Sequence, residues 1–381
     1  MTEPLSYHNT GVNYDVLDEF KRHCQRAAAG TANQLAQHQA TEPAGIRGES
    51  AYLVETPDEF LAHVEEGLGT KNLVADALRQ PASTTDQRPT LPANLARPYY
   101  SIGIDTVAAI VNDLLTVGAL PMVVAMHAAV GSAKWFEDAS RAKDLADGFA
   151  EGCRRAGAVW GGGETPALKG LVRDEAIILA GSAMGRIRPK NLRIVGNVEA
   201  GDAMIFLASS GVHANGLTLC RELASRLPQG YLTPLADGRG FGEALLDASI
   251  IYAPFIRACQ QDELPLHYAV HMTGHGWRKL MRLAAPFVYR VRQVPPPLPI
   301  FEFITRHAAL DSREMYGTFN MGVGFAVYVA AHDTARCLQL AAQSGFHAWI
   351  GGVIERHGSR KAVVVDSLDL AFEGESLNIR G

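Results

Sequence analysis

Three things are scarce in this chain of 381 residues, and each scarcity removes a class of protein. Cysteine is one: there are five, an odd number, and none stands in a C-x-x-C pair. That excludes a zinc knuckle and a paired disulfide scaffold, and leaves reduced thiols in a cytosolic setting as the expectation. A basic surplus is the second. Lys and Arg total 35 against 40 Asp and Glu, a net charge of −5, so a general nucleic-acid binder is not expected. Long apolar runs are the third: none approaches the roughly 18 residues of a membrane span. The opening "MTEPLSYHNTG" is polar and lacks the apolar core of a signal peptide. A cytoplasmic protein with neither a membrane nor a nucleic-acid partner is expected.

What is present fits a globular α/β protein of two domains, given the length and a hydrophobic content of 47%. Residues 1–50 read as a partly ordered extension with a helix over 16–29. The Pro-, Ser- and Thr-rich 79–94 reads as an exposed loop. Helices are expected over 106–118 and 139–157, each stopped by Gly, and strands over 122–130, 176–187 and 203–209. The second half repeats the theme, with helices at 215–227, 277–284 and 333–345 and strands at 287–294, 321–330 and 347–355. This mixture predicts an α/β or α+β fold with helices packed on sheets. The break falls near 186–191, giving a first domain over 51–188 and a second over 189–381.

Five segments carry candidate chemistry. "EGLGTK" (66–71) lacks the Walker A spacing, and alone it reads more readily as a generic turn. Gly67 and Gly69 with Thr70 and Lys71 suit a backbone that approaches phosphate. The acid in front of them, Glu66, suits a metal ion lying between carboxylate and phosphate. In "GIDTVAAIVNDL" (103–114), Asp105 is placed as a helix N-cap, and Asn112 lies seven positions later on nearly the same face. Asp113 beside it completes, with Glu66, the one or two carboxylates that Mg²⁺ accepts alongside phosphate oxygens. "GGGETP" (161–166) presents Glu164 behind three glycines, as a metal or substrate ligand or simply as a surface loop. "SSGVHANG" (209–216) sets His213 in a strand-to-helix turn, and "HMTGHG" (271–276) sets His271 and His275 among glycines.

The order of these segments, closed by "EMYGTFNMGVG" (314–324), resembles the aminoimidazole ribonucleotide synthetase family, also called phosphoribosylformylglycinamidine cyclo-ligase. The likeness runs from "NTGVNYD" to "WIGGVIE". It implies two α/β domains, with the N-terminal sheets of a homodimer pairing into a barrel and a C-terminal α/β sandwich. It also implies ATP and Mg²⁺ as cofactors, and cyclisation of formylglycinamidine ribonucleotide to aminoimidazole ribonucleotide with release of ADP and phosphate. By position it implies His213 and His271 as substrate-binding or acid/base residues and Glu66 and Asp113 on metal. Gly67, Gly69, Thr70, Lys71, Asp105, Asn112, Glu164 and Asn215 fall at the nucleotide. The chain departs from the family at Glu66, where the family has Asp, and at His275, the middle of three glycines there. It also lacks the N-terminal glycine-rich loop, and "GGETPALKG" differs from the family's continuation. These departures keep two rivals open: a paralogue that phosphorylates an oxygen of another substrate, and a nucleotide-binding protein without turnover.

Overall fold

The computed structural model describes residues 14–79, 93–377 and 379. Most of the expected loop 79–94 lies outside the described residues. The first sheet contains β1 (Tyr52–Glu55), β2 (Phe60–Gly67), β3 (Leu120–Val130), β4 (Val159–Glu164) and β5 (Ile177–Ile187), in the order β1-β2-β5-β3-β4. Its pairings are antiparallel except β3 with β4. The second sheet contains β6 (Ala203–Ala208), β7 (Tyr268–His271), β8 (Val288–Val291), β9 (Val323–Val329), β10 (Ala348–Glu355), β11 (Ala362–Val365) and β12 (Leu370–Glu373). Their order is β12-β11-β8-β10-β6-β9-β7. β6 and β9 are buried almost throughout and read as continuous apolar runs, as central strands do.

Four helices matter to the site: α1 (Tyr14–Ala29), α2 (Asn72–Leu78), α3 (Pro98–Leu115) and α4 (Ala139–Ala156). α3 starts eight residues before the expected 106, with Pro98 in its first turn. Asp105 is therefore not an N-cap but a mid-helix residue, and Asn112 and Asp113 are buried as well. Glycines let α4 lie close against α3: a Cβ on Gly148 would sit 2.0 Å from the Tyr100 carbonyl oxygen. The expected helix over 277–284 is a 3₁₀ segment, Gly276–Met281.

α3 is enclosed on nearly every side, so its polar residues require partners. They find them in the second half of the chain. Asp105 accepts from the Ser249 backbone at 2.7 Å, and Asn112 Nδ2 donates to the Ile250 carbonyl at 2.8 Å. One apolar core joins α3 to strands of both sheets, including Val64, Ile205 and Phe325. The opposite face of the first sheet is open, and it leaves Met122, Val123, Val159, Ile178 and Met184 exposed.

Candidate active site

Between the two halves lies a cavity of about 570 Å³. The end of β2 brings Glu66 and Gly67 to it, and α3 brings Asp113. The loop after β6 brings His213 and Asn215, and the end of β7 brings His271. Residues from four separate segments of sequence thus converge.

Asp113 and His271 form the centre. His271 Nδ1 lies 2.7 Å from Asp113 Oδ1, with both side chains buried. Burial works against the Asp113 charge, but the His271 hydrogen bond, with Lys279 and Arg282 nearby, holds its pKa below the usual value. Burial likewise pushes His271 below its usual value despite that bond. At neutral pH the pair is therefore a carboxylate and a neutral imidazole. Nδ1–H donates to Asp113, and Nε2 remains a free-electron-pair base.

His213 has a positive φ of 55° and is 3% exposed. Its Nε2 accepts from the Ser210 backbone at 3.3 Å, which places the ring proton on Nδ1. That Nδ1 is buried and has no partner among the described residues. Burial, with His271 and Lys71 nearby, keeps the ring well below its usual pKa, hence neutral. An unmet buried donor costs about 1–3 kcal/mol, and a ligand acceptor would recover it.

The motif 314–324 is the scaffold of this histidine loop. Asn320 Oδ1 accepts from Ser209 Oγ at 2.9 Å, and its Nδ2 donates to the Gly211 carbonyl at 2.8 Å. Gly324 leaves room for the ring: a Cβ there would stand 1.9 Å from the Tyr252 hydroxyl and 2.8 Å from His213 Cε1.

Glu66 opens onto the cavity, yet the protein around its carboxyl strips away bulk water. That desolvation, and the Asp113 charge, push its pKa up to about 7. Lys279, missed by the sequence reading, is buried in the same wall and hydrogen-bonds Thr273 Oγ1. Burial pulls its pKa down to about 8, with Asp113 and Glu66 opposing. Two carboxylates that repel each other across a polar cavity suit a hard cation. Among the described residues no group of three His, Cys, Asp or Glu side chains forms a closed metal cage. A site completed by phosphate and water oxygens is the kind Mg²⁺ accepts, so the donor set fits.

Other expected nucleotide residues stand elsewhere. Lys71 is fully buried, with Nζ 2.7 Å from Asp105 Oδ2 and 2.7 Å from the Asp247 carbonyl. Its charge is spent inside the protein, so Lys71 and Asp105 form an internal strut. Asn112 likewise holds Ile250 and Tyr252 through both ends of its amide. Gly69 has a φ of 79° and Thr70 is half-buried in the turn between them and β2. Glu164 lies apart, at the end of the edge strand β4, in a shallow pocket with Met126 and Trp160.

Two α/β halves sharing a helix and enclosing an acidic, histidine-bearing cleft define a small-molecule enzyme of the two-domain α/β class. Residues 73–187 match the AIR synthase related protein N-terminal domain, and residues 199–365 match its C-terminal domain. A phosphoribosylformylglycinamidine cyclo-ligase from Nitrosococcus oceani is 31% identical over 362 residues, 92% of each chain. That from Carboxydothermus hydrogenoformans is 31% identical, covering 95% of this chain and 99% of its own. The chain belongs to the AIR synthase family, whose reaction is an ATP-dependent cyclisation. The fold is shared with phosphoribosylformylglycinamidine synthase II from Thermotoga maritima, with a TM-score of 0.56 and 14% identity over 89% of this chain and 48% of that one. It is shared also with the hydrogenase maturation protein HypE solved with ATP, with a TM-score of 0.54 and 16% identity over 82% and 84%.

Proposed function

We infer that this chain converts formylglycinamidine ribonucleotide and ATP into aminoimidazole ribonucleotide, ADP and phosphate. The observation that carries the reading is the single cavity in which Glu66, Asp113, His213 and His271 meet. ATP transfers its γ-phosphoryl to the formamide oxygen, and ADP leaves. The ring-forming nitrogen then attacks the activated carbon, the C–O bond breaks and phosphate departs. His271 Nε2 takes the proton released by that nitrogen, and the Asp113 carboxylate stabilises the imidazolium that forms. The Nδ1–H of His213 donates to an oxygen of the bound substrate. Glu66 and Asp113 would hold Mg²⁺, which would neutralise charge on the phosphates. Lys279 supplies a further cation beside the two acids. The glycines of 66–71 let the chain turn at the cavity wall, and Asn215 faces the same space.

The site is completed by a homodimer in which the open apolar face of the first sheet meets its copy. Exposed Val159, Ile178 and Met184 favour burial there. Glu164, at the edge of that face, then lies near the interface and serves the nucleotide from it. No helix among the described residues is long and apolar enough to cross a membrane. The enzyme works in the cytoplasm, and four of its five cysteines are buried thiols.

The decisive assay is ADP release from Mg-ATP with and without formylglycinamidine ribonucleotide. Release that depends on the ribonucleotide is expected. ATP binding without that dependence would transfer the chain to a paralogous substrate, a reading favoured by one observation, the unusual His275 at the cavity wall.

A further inference from the structure

His275 occupies a position that an L-residue enters reluctantly, with a φ of 70°. The next residue, Gly276, is forced to be glycine, because a Cβ there would lie 2.2 Å from the Tyr316 carbonyl. Position 275 has no such need, yet it carries a large ring. What holds that ring is the N-terminal helix: His275 Nε2 lies 2.9 Å from Asp18 Oδ2, both side chains 7% exposed. Burial pushes His275 below its usual pKa, so at neutral pH the ring is neutral and Nε2–H donates to the Asp18 carboxylate. That carboxylate is itself held below its usual range by His275 and Lys21 against the opposing effect of burial.

The rest of α1 is mostly surface. Val16, Leu17 and Phe20 are 62%, 45% and 69% exposed, so apolar burial does little to hold the helix down. Its attachment is polar: at Asp18, through Gln25 to the Ile379 carbonyl at 3.0 Å, and from Arg47 to the Ala28 carbonyl at 3.1 Å. Yet Lys21, Cys24 and Gln25 line the same cavity as Glu66 and His271. The Lys21 charge reaches both Glu66 and Lys279.

We propose that the Asp18–His275 bond is a latch that fixes α1 as a wall of the substrate cavity, and that this wall determines specificity by presenting Lys21 to an anionic, phosphate-bearing substrate. His275 and Asp18 are positioning residues; Lys21 is the group that meets the ligand. The latch stands independently of the cyclo-ligase reading, whereas the substrate's identity rests on it.

The test uses the full chain and four variants: His275→Gly, His275→Asn, Asp18→Asn and Lys21→Gln. His275→Gly relieves the strained φ, so the body of the protein folds at least as well. His275→Asn is a second check, because Asn tolerates positive φ. Trypsin cleavage after Arg22 or Arg26, followed by mass spectrometry, is expected to accelerate about tenfold in His275→Gly and Asp18→Asn, the effect of losing one charge-assisted hydrogen bond. The thermal midpoint of the body stays unchanged. Lys21 Nζ also lies 3.1 Å from Asp18 Oδ1, so Lys21→Gln speeds cleavage after Arg22 or Arg26 less than the latch variants do, and it raises KM for formylglycinamidine ribonucleotide severalfold with kcat little altered. Cleavage in the latch variants at the rate of the parent overturns the latch, and an unmoved KM in Lys21→Gln overturns the specificity role. A parent that turns over no ribonucleotide while its latch variants still cleave faster sinks the cyclo-ligase reading alone. In that case, binding of inorganic phosphate or ATP that weakens in Lys21→Gln decides the role of the wall.

Discussion

The 2.7 Å contact between His271 Nδ1 and Asp113 Oδ1 joins the end of a strand in the second half of the chain to a helix in the first. It fixes the tautomer of the imidazole and aims its other nitrogen at the cavity. Asp113→Asn keeps the shape but loses the charge that makes the ring a base. Ribonucleotide-dependent ADP release is expected to fall by about 10²-fold or more, within the range for acid–base groups. The measurement is steady-state kcat beside a circular dichroism spectrum. A kcat within threefold of the parent would remove His271 from proton transfer.

The ion pair of Lys71 and Asp105 is buried completely. Burial pushes Asp105 upward even though Lys71 and Ser249 counter it, so the charge is expensive once its partner is lost. Lys71→Met is predicted to cost about 3–5 kcal/mol in urea unfolding, and the double variant Lys71→Met/Asp105→Leu to recover much of that loss. KM for ATP in the folded fraction stays near that of the parent. A large KM change at unchanged stability would restore Lys71 to the nucleotide site.

Gly324→Ala places a methyl against the Tyr252 hydroxyl and the edge of His213. The expected loss is about 1–3 kcal/mol of stability, from overpacking, together with most of the activity. Equilibrium denaturation and ADP release measure the two separately. A stable and active variant would show that the ring does not need its present seat.

Glu66 carries a pH signal of its own. Its pKa in the folded protein is raised to about 7 by burial and by Asp113, while Lys279 and Lys21 pull it down. The unfolded chain has the ordinary carboxyl value, so the folded state binds more protons between that value and 7. The stability this group contributes is therefore complete at low pH and is lost as pH rises through about 7. Thermal midpoints across pH 5 to 8 are expected to show this decline, and Glu66→Gln to flatten it. Mg²⁺ competes with the proton, so its stabilising effect grows over the same interval. A decline that survives in Glu66→Gln assigns it to another group.

Pairing of the open sheet is tested by charge. Met184→Glu and Val159→Glu change exposed side chains on that face. They are expected to shift the sedimenting species from dimer to monomer without lowering the thermal midpoint of the monomer. A parent that sediments as a monomer would refute the dimer.

Some of this was legible without coordinates. The apolar periodicity of 139–157 and the strand runs at 122–130 and 176–187 carry enough local information to place those elements within a residue or two. The start of α3 was hidden, because a helix enclosed on all sides has no amphipathic edge to mark it. Lys279 was hidden for a related reason. In sequence it sits in "GWRKLMRL", a stretch that reads as an ordinary helix, and only the fold buries that ammonium.

The sequence by itself determined the glycine-rich turns, the chemical types of the site residues and the order of the segments, because these depend on neighbours within a few positions. The tertiary structure alone decided which of the polar groups face the cavity and which are struts. Asp105 and Asp113 lie two turns apart on one helix, yet one is bound to a buried lysine and the other to a histidine beside an open cleft. The difference lies in their partners: Lys71 from 34 residues away and Ser249 from 144 in one case, His271 from 158 in the other. Such long-range pairing is set by packing of the whole chain, and no local pattern encodes it.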